Sequence, residues 1–123
     1  AVVGTNPADG PPHLTPVWFL YERRRIYLGI ERRSVKYRNL TRDNRISICV
    51  DAGHPDGRTV MAYGRAEIEE TGTPEVDDIM WRLTRHYHKT EEEAREYKES
   101  VSDLDFVLVS MTLSKVITQD FNE

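Results

Sequence analysis

The chain has one cysteine, Cys49, in 123 residues, which excludes an internal disulfide and a cysteine-based zinc site. Cys49 lies in the apolar run Ile46-Ser47-Ile48-Cys49-Val50 and reads as a small buried hydrophobe rather than a reactive thiol. No apolar run approaches the roughly 20 residues that span a bilayer, and no secretory signal is visible. No membrane association is expected, and a cytoplasmic location is. Nucleophile elbow, Walker loop, dinucleotide GxGxxG and paired-carboxylate signatures are all absent. His86 and His88 stand two apart on a helical stretch and diverge, while His13 and His54 lack a converging carboxylate or cysteine, so no metal site is expected. There is no internal repeat or low-complexity tract, and the length fits a single domain over residues 1–123. The first residue is not Met, and Ala1-Val2-Val3-Gly4 reads like a strand already under way, so residues preceding Ala1 are expected in the native protein.

The net charge is −4, which argues against a dedicated nucleic-acid binder. The charge is nevertheless uneven. Arginines 23, 24, 25, 32, 33, 38, 42 and 45, with Lys36, crowd one third of the chain, and Glu91, Glu92, Glu93, Glu96 and Glu99 crowd a later helix. The basic third suits an anionic small molecule or pairing with acidic helices; a solvated face accounts for most of its arginines.

Turn formers at Asn6-Pro7-Ala8-Asp9-Gly10-Pro11-Pro12 separate a first strand from a second over His13–Tyr21. In the second, Leu14, Pro16, Trp18 and Leu20 share one face, and His13, Thr15, Val17, Phe19 and Tyr21 the other. Both faces are apolar enough to be covered. Pro16 implies an edge position or an interrupted ladder. A third strand runs over residues 26–30, a fourth over 45–50 and a long fifth from Thr59 to about Glu69, with Gly64 as a bend or close backbone approach. The period then becomes helical: Val76, Ile79, Met80, Leu83 and Tyr87 follow the helix start Thr73-Pro74-Glu75. Thr90-Glu91-Glu92-Glu93 resembles a capping box opening a second, polar helix. Phe106–Met111, extended by 116–118, closes the chain as a strand whose pairing partner is not legible. Short connections favour antiparallel pairing, and closure into a barrel of about six strands would remove exposed edges.

Ser34-Val35-Lys36-Tyr37-Arg38-Asn39-Leu40 is the most informative segment: a short helix with a hydroxyl at its start and a lysine in its first turn. Helix N-termini expose unpaired N–H groups and partial positive charge, so an adjacent hydroxyl and ammonium make a phosphate cradle. Lys36 and Asn39, three apart, share a side of the helix. Ser34 is also explained as a plain N-cap. Trp18 and Phe19 are more often core than cofactor contacts; strand alternation lets at most one of them face a given site.

The serial combination Asp9-Gly10, Pro12-His13, Pro16-Val17-Trp18-Phe19, Ser34 through Leu40, Arg42-Asp43, Arg45 and Gly64-Arg65-Ala66 resembles the split β-barrel flavin-binding superfamily named after pyridoxamine 5'-phosphate oxidase. More narrowly it looks like the branch using FMN or the deazaflavin F420. The resemblance covers residues 1 to about 120. It implies a mainly β fold, a six- to seven-stranded antiparallel split barrel of Greek-key type with peripheral helices. It implies a homodimer with cofactor sites at the subunit interface, phosphate at Ser34, Lys36 and Asn39, and the ring system along Pro16, Val17 and Trp18. It implies an oxidoreductase passing a hydride to a small conjugated substrate, F420 being modestly favoured over FMN by the Pro16–Trp18 and Lys36–Asn39 segments. The terminal residues 118–123 lack the tryptophan and arginine pattern of true pyridoxamine phosphate oxidases, so the vitamin B6 reaction itself is not expected. The absence of catalytic acids and nucleophiles is consistent with chemistry carried by the cofactor. It is equally consistent with a non-catalytic FMN- or F420-binding or carrier module.

Overall fold

A computed structural model of the chain describes residues 1–122. Seven strands form one antiparallel sheet: β1 (Val2–Thr5), β2 (His13–Pro16), β3 (Leu20–Glu22), β4 (Arg25–Glu31), β5 (Arg45–Asp51), β6 (Arg58–Glu70) and β7 (Phe106–Asp120). Their order is β2-β1-β5-β6-β7-β4-β3. Helix α1 (Val35–Arg42) joins β4 to β5, and α2 (Pro74–His86) and α3 (Glu91–Ser100) lie between β6 and β7. The fold is the mainly β, split-barrel architecture expected from sequence. Closure is by packing rather than by a continuous ladder, since β2 and β3 are left as edges.

The long β6–β7 ribbon explains the split. Its β6 half up to Arg65 also pairs with β5, and its β7 half up to Thr112 also pairs with β4. The register shifts between Tyr63 and Gly64, where Tyr63 faces Lys115 and Gly64 faces Leu113, leaving Ser114 as the extra residue. A bulge bends and twists its strand, and it lies where the ribbon passes from one half-sheet to the other. Inward residues follow the period of two: Ile46 and Ile48, Val107, Val109 and Met111, and Ile26, Leu28 and Ile30 form one core with Val3 and Leu40. Cys49 alternates with these isoleucines on the outer face and is half-buried, a correction to its expected burial.

The expected second strand is two. Its ladder stops at Pro16, an edge position as proline requires, and resumes at Leu20 against β4. Between them Val17 packs on the core and donates its N–H to the Ala1 carbonyl at 2.9 Å. Nor are both faces covered, because Leu14 is 66% exposed. The closing strand is likewise one unbroken element, partnered by both β6 and β4.

Helix α2 begins at the N-cap Thr73 with Pro74 in its first turn, as its sequence signals. It covers the outer face of β4 and β7, where Val76, Ile79 and Met80 pack on Tyr27 and Leu108. Just past its end, Tyr87 reaches the β2–β3 break. Its hydroxyl accepts from the Phe19 N–H at 3.0 Å and donates to the Phe19 carbonyl at 3.3 Å. One side chain thus satisfies two backbone groups that the interrupted ladder leaves open. Tyr87→Phe should therefore cost about 1–3 kcal/mol, the penalty for stranding partly buried polar groups, read as a lowered urea midpoint with an unchanged m-value.

Candidate functional site

The site begins at the tip of α1. Ser34 is extended (φ −75°, ψ 157°) and caps the helix: its Oγ accepts from the Tyr37 N–H at 3.1 Å and donates to the Glu31 carbonyl at 2.7 Å. Its hydroxyl is therefore committed to backbone. Among the described residues, the amides of Val35 and Lys36 have no protein acceptor, and the half-buried Lys36 has no ion-pair or hydrogen-bond partner. No acid stands in the first turn. The tip therefore carries two open N–H groups and one unneutralised ammonium, the requirements of a phosphate cradle.

Asn39 lies elsewhere. It is 4% exposed, its Nδ2 donates to Thr5 Oγ1 at 3.0 Å, and its Oδ1 accepts from Arg42 Nη2 at 3.1 Å. A three-residue spacing on a helix leaves about 60° between side chains, enough to put Lys36 at the rim and Asn39 inside. Arg32 is also occupied. It donates to Glu70 Oε1 at 2.9 Å, to Asp105 Oδ2 at 2.8 Å and to the Tyr37 hydroxyl at 3.3 Å. These bonds hold the Arg32 guanidinium protonated, and its donation keeps the Glu70 carboxyl below the usual range. Arg45 does the same to Asp43 at the far end of α1, holding that carboxyl well below its ordinary value. None of the basic segment's ion pairs reaches α3, so pairing with the acidic helix is not how these arginines are used.

The second part is the β2–β3 break. Pro16 lies on the exposed outer face opposite Val2, and Val17 packs against the core, as Tyr37 of α1 also does. The Trp18 N–H has no protein acceptor among the described residues. Its indole turns to the other side of the sheet and stacks on Tyr87 (centroids 4.9 Å apart, planes 7° apart), with Tyr97 and His88 at 5.1 and 5.5 Å. Ser34 and Lys36 thus share the tip of α1, and Val17 packs on the core that α1 also covers, while the Trp18 ring joins the aromatic cluster of Tyr87, His88 and Tyr97. His88, expected on a helix surface, belongs to this aromatic cluster.

Two residues of β2 were not among the expected site residues. His13 Nδ1 and Thr15 Oγ1 are buried side-chain atoms without a hydrogen-bond partner. Both lie on the Val17 side of β2, and His13 faces Thr5, the acceptor of Asn39. Their alternation with Val17 was the available signal. Orphaned polar atoms on this face, with the open amides and Lys36, fit a phosphorylated ligand with a polar ring edge. Among the described residues no group of histidine, cysteine and acids could hold a metal, and no helix is long and apolar enough to cross a membrane.

A bent seven-stranded sheet around α1 defines the split-barrel class. The family model for pyridoxamine 5'-phosphate oxidase matches residues 1–120, and the chain belongs to that family, which is of flavin-binding oxidoreductase type. Among solved structures, the conserved hypothetical protein Rv2991 of Mycobacterium tuberculosis is 27% identical (TM-score 0.77), covering 97% of this chain and 75% of that one. An F420 reductase shares the fold at 16% identity (TM-score 0.70; 94% and 86% covered). So does the heme storage protein HutZ of Vibrio cholerae at 13% (TM-score 0.72; 97% and 83% covered). A comparison with curated proteins returns no match.

Proposed function

We propose that the chain binds F420 or FMN and serves as an oxidoreductase, passing a hydride between that cofactor and a small conjugated substrate. The observation that carries this reading is the tip of α1, where Lys36 and two open amides stand without a protein counter-charge. In this reading Lys36 and the Val35 and Lys36 amides hold the phosphate. Ser34 acts one step back, fixing the helix tip by its cap. Pro16, Val17 and the free Trp18 N–H line the ring by backbone, while His13 and Thr15 supply the polar contacts that they lack within the chain. Asn39 orients α1 against β1 through Thr5. The bound cofactor supplies the hydride chemistry, and the protein positions it. The motif resemblance favours F420 over FMN, and an F420 reductase has the same fold.

The proposed partner is a second copy of the chain. The outer face of β2, β1, β5 and β6 carries Leu14, Val2, Met61 and Tyr63, and among the described residues no helix packs over it, whereas α2 covers the other half-sheet. A cytoplasmic setting suits both cofactors. Cofactor binding without turnover is the alternative, and the likeness to a heme storage protein favours keeping it.

To test the reading, F420 and FMN are titrated into the purified protein, and the reduced cofactor is then mixed with quinones and enones. Saturable micromolar binding and substrate-dependent loss of the reduced spectrum are expected. Binding without turnover leaves the carrier; no binding of either cofactor defeats both.

A further inference from the structure

A cavity of about 780 Å³ lies not at α1 but on the opposite side of the sheet, between α2, α3 and the start of β7. It lies within the range of small-molecule sites, about 300–1,000 Å³. It exists because α3 stands off from the sheet. The only buried residue of that helix is Ala94, whereas Met80 of α2 descends onto β4 at Gly29, where an added Cβ would lie 3.2 Å from its Cε. The chain's two tryptophans, Trp18 and Trp81, both line it, with Met80, Leu104 and Phe106 completing an apolar wall.

The polar side of the cavity is basic where it meets the aromatic one. Arg95 and Lys98 lie over the Trp81 ring at 5.0 and 5.8 Å from its centroid. Arg95 is tied to Glu91, but Lys98 has no carboxylate partner among the described residues. Of the cavity's acids, Asp105 is held by Arg32, and Asp77 accepts the Gly72 N–H. Glu99 is the remaining one, so Lys98 is the cation open to a ligand.

We propose that this cavity is a second ligand site, which takes a flat aromatic or conjugated molecule bearing one acidic group. The planar body lies among Trp18, Trp81, Met80 and Phe106, and the acid faces Lys98. The site does not rest on the cofactor reading: of the residues assigned to the cofactor it shares only Trp18, by its ring here and by its N–H there.

The experiment uses the intact protein and a pair of probes, anionic 1-anilinonaphthalene-8-sulfonate and uncharged N-phenyl-1-naphthylamine. Each should bind saturably, about one per chain, quenching tryptophan emission. Lys98→Glu should weaken the sulfonate about ten-fold and leave the neutral probe within about three-fold. Leu104→Glu, at the exposed mouth, should weaken both. Arg38→Glu, the same charge reversal on α1, should change neither. Unsaturable uptake, several probes per chain, or a sulfonate affinity that responds equally to Arg38→Glu and Lys98→Glu would overturn the site.

Discussion

Gly64→Ala should cost on the order of 3 kcal/mol or more, a large part of the roughly 5–15 kcal/mol that holds a domain of this size together. An added Cβ at Gly64 would lie 1.7 Å from the Thr112 carbonyl oxygen and 2.8 Å from its carbon. Both are backbone atoms of the facing strand, and they cannot rotate aside as a side chain can. Relief requires the β6–β7 ribbon to separate at its bulge, where Thr112 Oγ1 donates to the Arg65 carbonyl and Ser114 Oγ to the Tyr63 carbonyl. That is also where the two half-sheets exchange partners, so the strain reaches β5 on one side and β4 on the other. Gly72→Ala is the comparison. Gly72 has a positive φ of 110° but open space around its missing side chain, so only local backbone strain of about 1–2 kcal/mol is expected. Equilibrium urea unfolding of the two variants measures the difference. Equal, small losses would show that the ribbon does not need its close approach at Gly64.

Sequence pattern revealed most where cause and effect are local. The Ser34 cap, the Thr73-Pro74 start and the apolar stripe of α2 depend on neighbours within two turns, and each is found in place. Gly64 could be recognised as a close approach, since a glycine inside a strand-forming run has few other uses. Trp18 was different. Period-two alternation assigns faces only while the ladder continues; past Pro16 it lapses, and Tyr87, 68 residues away from Phe19, fixes the break. The pairing of β7 was illegible for the same reason, because register between distant strands is set by the whole sheet. Cys49 is the instructive miss. The alternation of Ile46 and Ile48 with Ser47 and Cys49 was visible, but the apolar character of the run was weighed above its period. At the candidate site, spacing joined Lys36 to Asn39, yet it could not tell which lay at the rim, since that depends on how α1 sits against Thr5 of β1.

This separation of Lys36 from Asn39 gives a pair of opposite expected results. Lys36→Ala should leave stability nearly unchanged, because the lysine has no partner among the described residues, and should weaken F420 or FMN binding by about ten-fold or more, the loss of a charge-assisted contact. Asn39→Ala should do the reverse. It strands the buried Thr5 hydroxyl, costing about 1–3 kcal/mol of folding stability. Once both proteins are folded, it should lower cofactor affinity less than Lys36→Ala does. The contrast is read by titrating each cofactor at a temperature well below both melting points, alongside thermal unfolding with and without cofactor. Salt adds a third reading. Raising ionic strength should weaken binding to the native protein and hardly affect binding to Lys36→Ala, since the screened charge is already gone. If Asn39→Ala proves stable and loses cofactor while Lys36→Ala binds normally, the phosphate does not lie at the tip of α1, and the orphaned atoms of His13 and Thr15 become the place to look for the ligand's polar end.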